Sequence, residues 1–172
     1  MPPKKSHLIS TPCWHEVTRK MPIPCVDTIV WKKHAILLGW RTIRPYKNVW
    51  ALLGGRITYG ESFAQTATRQ CMESGLKIHK PHFVGVYPVR FPTRQDITIC
   101  MAAEWKSGDP TPTTELSHYE WFEPDRIGEI RRIGGNYKKM LQDWWKTTTH
   151  DQSDNPKVPP RTLDSHVFLR YR

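Results

Sequence analysis

Apolar positions along the chain recur in two periods, one of two residues and one between three and four. The run Cys25–Trp31 (CVDTIVW) is β-branched and aromatic, and after the polar Lys32-Lys33-His34 it resumes as AILLGW, which predicts two strands joined by a short turn. Residues 41–48 (RTIRPYKN) are basic, contain a Pro and predict a loop. The following VWALLGGRI predicts a strand stretch broken by a turn at Gly54-Gly55. ESFAQTATRQCME then lacks Gly and Pro, with Phe63, Ala64, Ala67 and Cys71 at helical spacing, and this first helix is expected to stop at Ser74-Gly75. His82–Arg90 and Asp96–Trp105 predict two more strands, KSGDPTPTTE a surface connection, and HYEWF another strand. Pro124-Asp125 predicts a helix start. Tyr137, Met140, Leu141, Trp144 and Trp145 lie at i, i+3, i+4, i+7 and i+8, the apolar face of an amphipathic helix.

The 172 residues suit one domain, expected over residues 1–147, with a polar, Pro-containing tail over 148–172 that ends in LDSHVFLRYR. The composition, 38% hydrophobic and 11% aromatic, supports a real core and argues against a largely disordered chain. No apolar run reaches membrane-spanning length, and Met-Pro-Pro-Lys-Lys lacks the apolar stretch of a signal peptide, so a cytoplasmic protein without membrane contact is expected. Cys13, Cys25, Cys71 and Cys100 form no C-x-x-C pair and read as reduced, mostly buried thiols. The net charge of +10 is lopsided: residues 1–60 hold ten Lys or Arg against Glu16 and Asp27. Such a half attracts a polyanion, either a nucleotide diphosphate or a nucleic acid. Of the eight Trp, Trp31, Trp50, Trp121, Trp144 and Trp145 are expected in the core, whereas Trp14 and Trp40 are free to stack on a nucleobase or cover a subunit interface.

Glu61, Gln65, Arg69 and Glu73 are spaced by four and form one polar stripe opposite the apolar face of the first helix. Carboxylates there suit Mg²⁺, a hard cation that binds through one or two carboxylates plus substrate phosphates. Arg69 would orient Glu73 or Glu61 by a charge-assisted hydrogen bond. The spacing Gly55, five residues, Glu61, seven residues, Arg69 resembles the Nudix box, G-x5-E-x7-R-E-U-x-E-E-x-G-U with U apolar. Gln70 stands where that pattern has Glu, Glu73 matches the first Glu of the closing pair, Ser74 replaces the second, and Gly75-Leu76 arrive one residue early. The resemblance implies an α/β (α+β) fold, the Nudix α/β/α sandwich with a mixed sheet.

A box short of glutamates, together with VDTIVWKKHAILLGWRTIRPYKNVWALLGGRI, resembles the GDP-mannose mannosyl hydrolase branch. That resemblance covers roughly residues 20–130 and implies a dimeric enzyme that uses Mg²⁺, with Mn²⁺ as a substitute. Its substrate would be a nucleotide sugar of the GDP-mannose or GDP-glucose type, cleaved to GDP and free sugar. Carried over, the metal ligands would be Gly55 (through its carbonyl), Glu73, Glu61 and Glu115. Leu116 falls where the branch has its catalytic His, which leaves His118 or Glu115 as general base. Arg41 and Arg44, with Arg56, would hold the diphosphate, Arg69 would act within the catalytic box, and Trp14 is a candidate for the base. Two alternatives stand beside it: a Nudix pyrophosphatase releasing a nucleoside monophosphate, and a non-catalytic Nudix-fold module binding nucleotide or nucleic acid.

Overall fold

The computed structural model describes residues 10–150 except His34. In chain order the elements are α1 (Thr11–Lys20), β1 (Ile23–Lys32), β2 (Ala35–Arg41), β3 (Val49–Ala51), β4 (Leu53–Arg56), α2 (Phe63–Glu73), β5 (Lys77–Ile78), β6 (His82–Arg90), β7 (Gln95–Ser107), β8 (Leu116–Phe122), a 3-10 helix (Pro124–Glu129) and α3 (Tyr137–His150). β1 is the axis of the sheet. It runs parallel to β7, from Ile23 opposite Asp96 to Trp31 opposite Glu104. Its other edge is divided between β4, with Asp27 opposite Gly54, and β2, with Trp31 opposite Ile36, both antiparallel. β3 and β8 pair with β2, and β5 and β6 pair with β7.

Alternation along the strands fills two layers. On one face Ile29, Ile36, Leu38, Cys100 and Ala102 pack with Met140, Leu141 and Trp144 of α3. On the other, Val30, Leu37 and Leu53 meet Cys71 and Leu76, and Val26, Ile99 and Met101 meet Ala67 of α2. The result is the expected α/β/α sandwich on a mixed sheet. Cys71 and Cys100 are buried and Cys71 is pushed up to about 12 by burial, so this thiol is inert. Cys13 is exposed and Cys25 half-buried, so the expected burial holds for two of the four thiols. Among the described residues no helix is long and apolar enough to cross a membrane.

Four local features differ from the sequence expectation. Gly54-Gly55 form no turn but lie inside β4, and the break falls at Leu52. The glycines are there for room: a Cβ on Gly55 would come 2.7 Å from the Gln70 amide, and one on Gly54 would collide with the Asp27 carboxylate. α1 departs from the sequence expectation because it is more polar than the other helices and buries only Thr18, although Pro12 at its start and Arg19 and Lys20 in its last turn are regular helix signals. Pro124 opens a 3-10 helix, not an α-helix. α3 runs through His150, past the residue 147 boundary, while residues 151–172, with LDSHVFLRYR, lie outside the described residues.

Candidate active site

α2 begins with a reciprocal cap. Ser62 Oγ accepts from the Gln65 backbone N–H at 3.3 Å, and Gln65 Oε1 accepts from the Ser62 N–H at 2.8 Å. Gln65 is therefore spent on the cap, and Glu61 sits just before the helix. Arg69, two turns on, reaches back to it: Nε donates to Glu61 Oε1 at 2.7 Å and Nη2 to Oε2 at 2.9 Å. The Thr58 N–H and the Thr66 hydroxyl also donate to Oε2, at 3.1 and 2.9 Å. These donors, Arg69 first, hold the Glu61 carboxyl at about 2, well below its ordinary value. Arg69 Nη1 donates to Glu73 Oε1 at 3.0 Å and Nη2 to the Arg56 carbonyl at 3.1 Å, so one guanidinium joins β4, the loop before α2 and the last turn of α2. Its own pKa is raised, mainly by the bond to Glu61.

The two side chains that replace box carboxylates are both engaged. With its amide nitrogen toward the Gly54 carbonyl, Gln70 donates to it at 2.9 Å and accepts from Arg69 Nη1 at 2.5 Å. Ser74 is buried, and its Oγ accepts from the Tyr119 hydroxyl at 3.0 Å.

Glu73 and Arg69 open onto a cleft of about 680 Å³ whose walls come from β1, β2, β4, β7, α2 and the segment before β8. Arg41 Nη1 donates to Glu115 Oε2 at 2.6 Å, and its Nε donates to the Pro45 carbonyl at 2.9 Å. Thr113 Oγ1 accepts the backbone N–H groups of Glu115 and Leu116, at 3.2 and 3.0 Å, which fixes the loop that carries Glu115. Asp27 lies in the cleft lining, and burial pushes its carboxyl up to about 7 despite the opposing charge of Arg41.

The structure brings Arg41, Gly55, Arg56, Arg69, Glu73 and Glu115 to this cleft. Four other predicted site residues are outside its lining. Glu61 stands behind Arg69 with both oxygens occupied. Arg44 is exposed on the β2–β3 loop. Trp14 on α1 lies against the outer side of Arg56, whose guanidinium is 3.9 Å from its ring centroid. His118 stacks on Trp40 at 5.9 Å between centroids and meets Trp50 edge-on at 5.3 Å. The reason is a bulge: Gly39 pairs with Tyr119 but Arg41 with Leu116, so β8 carries an extra residue between them. The bulge sends Leu116 to the α2 face and into the cleft while His118 turns to the aromatic cluster of the other face.

Sequence reasoning missed Asp27, Asp96 and Tyr46, all in the cleft lining. The available signal for Asp27 was an acid set inside an otherwise apolar strand run, CVDTIVW, where an unpaired charge is costly. Among the described residues no three His, Cys, Asp or Glu side chains are grouped to enclose a metal ion. The donors at the cleft are nonetheless hard oxygens, Glu73 foremost with Glu115 across from it. They fit a cation that takes one or two carboxylates and completes its shell with substrate phosphates and water.

A family model described as NUDIX domain matches residues 21–144. The chain is 28% identical over 135 residues to the NAD-capped RNA hydrolase NudC of Salmonella heidelberg, and 29% identical over 135 residues to that of Escherichia coli. Each alignment covers 76% of this chain and 51% of the relative, so the chain spans about half the length of the curated relatives it matches. These relatives are named for a substrate other than GDP-mannose. Among solved structures, a NUDIX hydrolase from Nitrosomonas europaea superposes with a TM-score of 0.66 at 18% identity, over 74% of this chain and 90% of that one. The NUDIX domain of Shewanella oneidensis NrtR, complexed with ADP ribose, gives 0.65 at 17% identity over 75% and 90%. Both likenesses concern the fold.

Proposed function

The chain belongs to the Nudix family, and from that premise we propose that it is a divalent-cation-dependent hydrolase that cleaves the diphosphate of a nucleoside diphosphate derivative at phosphorus. One observation carries this reading: Glu73, oriented by Arg69, shares a single cleft with the Arg41–Glu115 pair. A diphosphate needs both features, a carboxylate to anchor its cation and a guanidinium to bind its non-bridging oxygens.

Arg41 and Arg56 bind the diphosphate from two walls of the cleft, and Arg41 is pre-aimed by its bonds to Glu115 and the Pro45 carbonyl. Glu73 would hold the cation, Mg²⁺ or Mn²⁺ in its place, and Glu115 would serve as its second carboxylate or as the base that takes the proton from the attacking water. When bound, the cation supplies charge neutralisation and polarises the phosphoryl oxygen under attack. Arg69 positions Glu73 and does not touch the substrate. The guanidinium groups accelerate cleavage to the extent that they bind the charge developing on the leaving phosphate more strongly than the ground state.

A second reading, hydrolysis of GDP-mannose or GDP-glucose to GDP and sugar, is favoured by one feature. Gln70 and Ser74 are tied to Gly54 and Tyr119, so Glu73 is the only acidic side chain of α2 in the cleft lining among the described residues. The test is to incubate the protein with NAD⁺, ADP-ribose and GDP-mannose, with and without Mg²⁺, and to separate the nucleotides by ion exchange. Nucleoside monophosphate formed only with Mg²⁺, and lost in Glu73→Gln, is the expected result. GDP with free mannose would establish the second reading, and no product with any divalent ion would make the chain a binding module.

A further inference from the structure

The far end of the cleft, away from Glu73, holds an anomaly. Asp96, at the start of β7, is 6% exposed. Its Oδ2 pairs with Arg94 Nη2 at 2.9 Å, but its Oδ1 has no hydrogen-bond partner, and neither has Arg94 Nε. Buried carboxylate oxygens and guanidinium N–H groups are rarely left unmatched, because each has given up water without replacement. Both orphans belong to one ion pair, and both residues line the cleft.

Beside this pair stand two aromatic rings. Phe91 and Arg94 belong to the tight turn between β6 and β7, closed by the Phe91 N–H donating to the Arg94 carbonyl at 2.9 Å. The Arg94 guanidinium lies 5.1 Å from the Phe91 ring centroid. Tyr46, reaching over from the β2–β3 loop, meets Phe91 at 5.2 Å with a tilt of 57°. An acceptor and a donor held on one ion pair, next to aromatic surface, match a flat heterocycle that carries an N–H beside a ring acceptor.

We propose that this end of the cleft is a nucleobase subsite, in which a purine packs on Phe91 and Tyr46 while Asp96 Oδ1 accepts from an N–H on its edge and Arg94 Nε donates to the neighbouring acceptor. The assignment rests on the diphosphate reading above, which places the phosphates at the Arg41 and Glu73 end and so directs the base toward Asp96. A purine covers more of the two rings than a pyrimidine, and base–aromatic stacking is sequence-tolerant but strong. Asp96 thereby becomes a specificity-determining residue. A sugar in the same place would use the carboxylate but leave the aromatic pair without a partner.

Isothermal titration of the full chain with GDP, ADP, UDP and inorganic pyrophosphate, in Mg²⁺, tests the subsite. GDP and ADP are expected to bind at least ~10-fold tighter than pyrophosphate, with UDP between them. Asp96→Asn should bring the purine nucleotides to the pyrophosphate level, and Phe91→Leu, which keeps the ion pair and serves if Asp96→Asn does not fold, should narrow the same gap. Equal affinity for all four ligands, or a gap that survives in the folded variants, would overturn the subsite. Hydrolysis without base preference would sink this inference and leave the hydrolase standing, whereas base-selective binding without hydrolysis would do the reverse.

Discussion

Arg69 grips Glu61 in a two-pronged fork, Nε to Oε1 at 2.7 Å and Nη2 to Oε2 at 2.9 Å, although Glu61 lies outside the helix that carries Arg69. The third nitrogen of the same guanidinium reaches Glu73 at 3.0 Å. A loop carboxylate thus fixes an arginine, and the arginine fixes the one α2 carboxylate that faces the cleft. Glu61 works as an anchor two contacts away from the substrate.

Arg69→Lys tests that chain of contacts. A lysine retains the charge but has no planar fork, so it meets one carboxylate at a time and leaves Glu61 without its paired donors. The folded state should lose about 1.5–3 kcal/mol, the range for hydrogen bonds to charged groups, in urea denaturation. Turnover should fall by roughly 10–100-fold through the misplacement of Glu73. A variant with the stability and turnover of the parent would show that the fork orients nothing.

Acid should unlock the same anchor. The Glu61 carboxyl is held at about 2 against an ordinary 4.5, so between these values the unfolded chain binds a proton that the folded chain does not. Its contribution to stability is complete above about pH 4.5 and is lost as pH falls toward about 2. Glu61→Gln, neutral at every pH, should therefore be less stable than the parent at pH 6 and approach it near pH 2. Paired denaturation curves across that range check this; a difference that stays constant with pH would place the effect elsewhere.

The layers were legible in the sequence because alternation and helical spacing report burial directly. Ile29, Val30 and Leu141, all fully buried, came from such patterns. The Arg69–Glu73 contact was legible as well, since residues four apart meet on a helix, whereas Glu61 meets Arg69 from outside α2. What escaped was set by tertiary pairing. Gly54-Gly55 suggest a turn locally, but β1 and Gln70 press on them and only glycine fits in the extended ladder. His118 is two residues from Leu116 and shares its face in a regular strand, until the bulge against Gly39 and Arg41 separates them. Asp27 had only its place in an apolar run to mark it, since the charges that face it come from Arg41 on β2, Asp96 on β7 and Glu115 in the loop before β8.

The bulge predicts a contrast between the two candidate bases. Glu115→Gln alters a carboxylate that lines the cleft at 2.6 Å from Arg41, and kcat should fall by about 10²-fold or more. His118→Ala removes a ring stacked on Trp40, outside the cleft lining, and should leave kcat/KM within about twofold while loosening the aromatic cluster in a thermal melt. Steady-state kinetics on whichever substrate the product assay identifies separates them. A His118→Ala variant as impaired as Glu115→Gln would mean that β8 straightens when substrate binds.

Gln70 offers the sharpest test of metal binding. Its amide donates to the Gly54 carbonyl at 2.9 Å while its oxygen accepts from Arg69, so a neutral side chain joins two groups of opposite demand. Gln70→Glu removes the donor and sets a carboxylate oxygen against the Gly54 carbonyl, which should lower metal-free stability by about 1–2 kcal/mol. A divalent cation relieves that contact, because both oxygens are hard donors it accepts. Mg²⁺ should then raise the thermal midpoint of Gln70→Glu more than that of the parent, since a ligand stabilises in proportion to its affinity for the folded state. The Mg²⁺ concentration for half-maximal turnover should fall by about tenfold. Identical Mg²⁺ responses in the two proteins would place the cation away from the Gly54 end of α2, and the assignment of Glu73 as its ligand would fall with it.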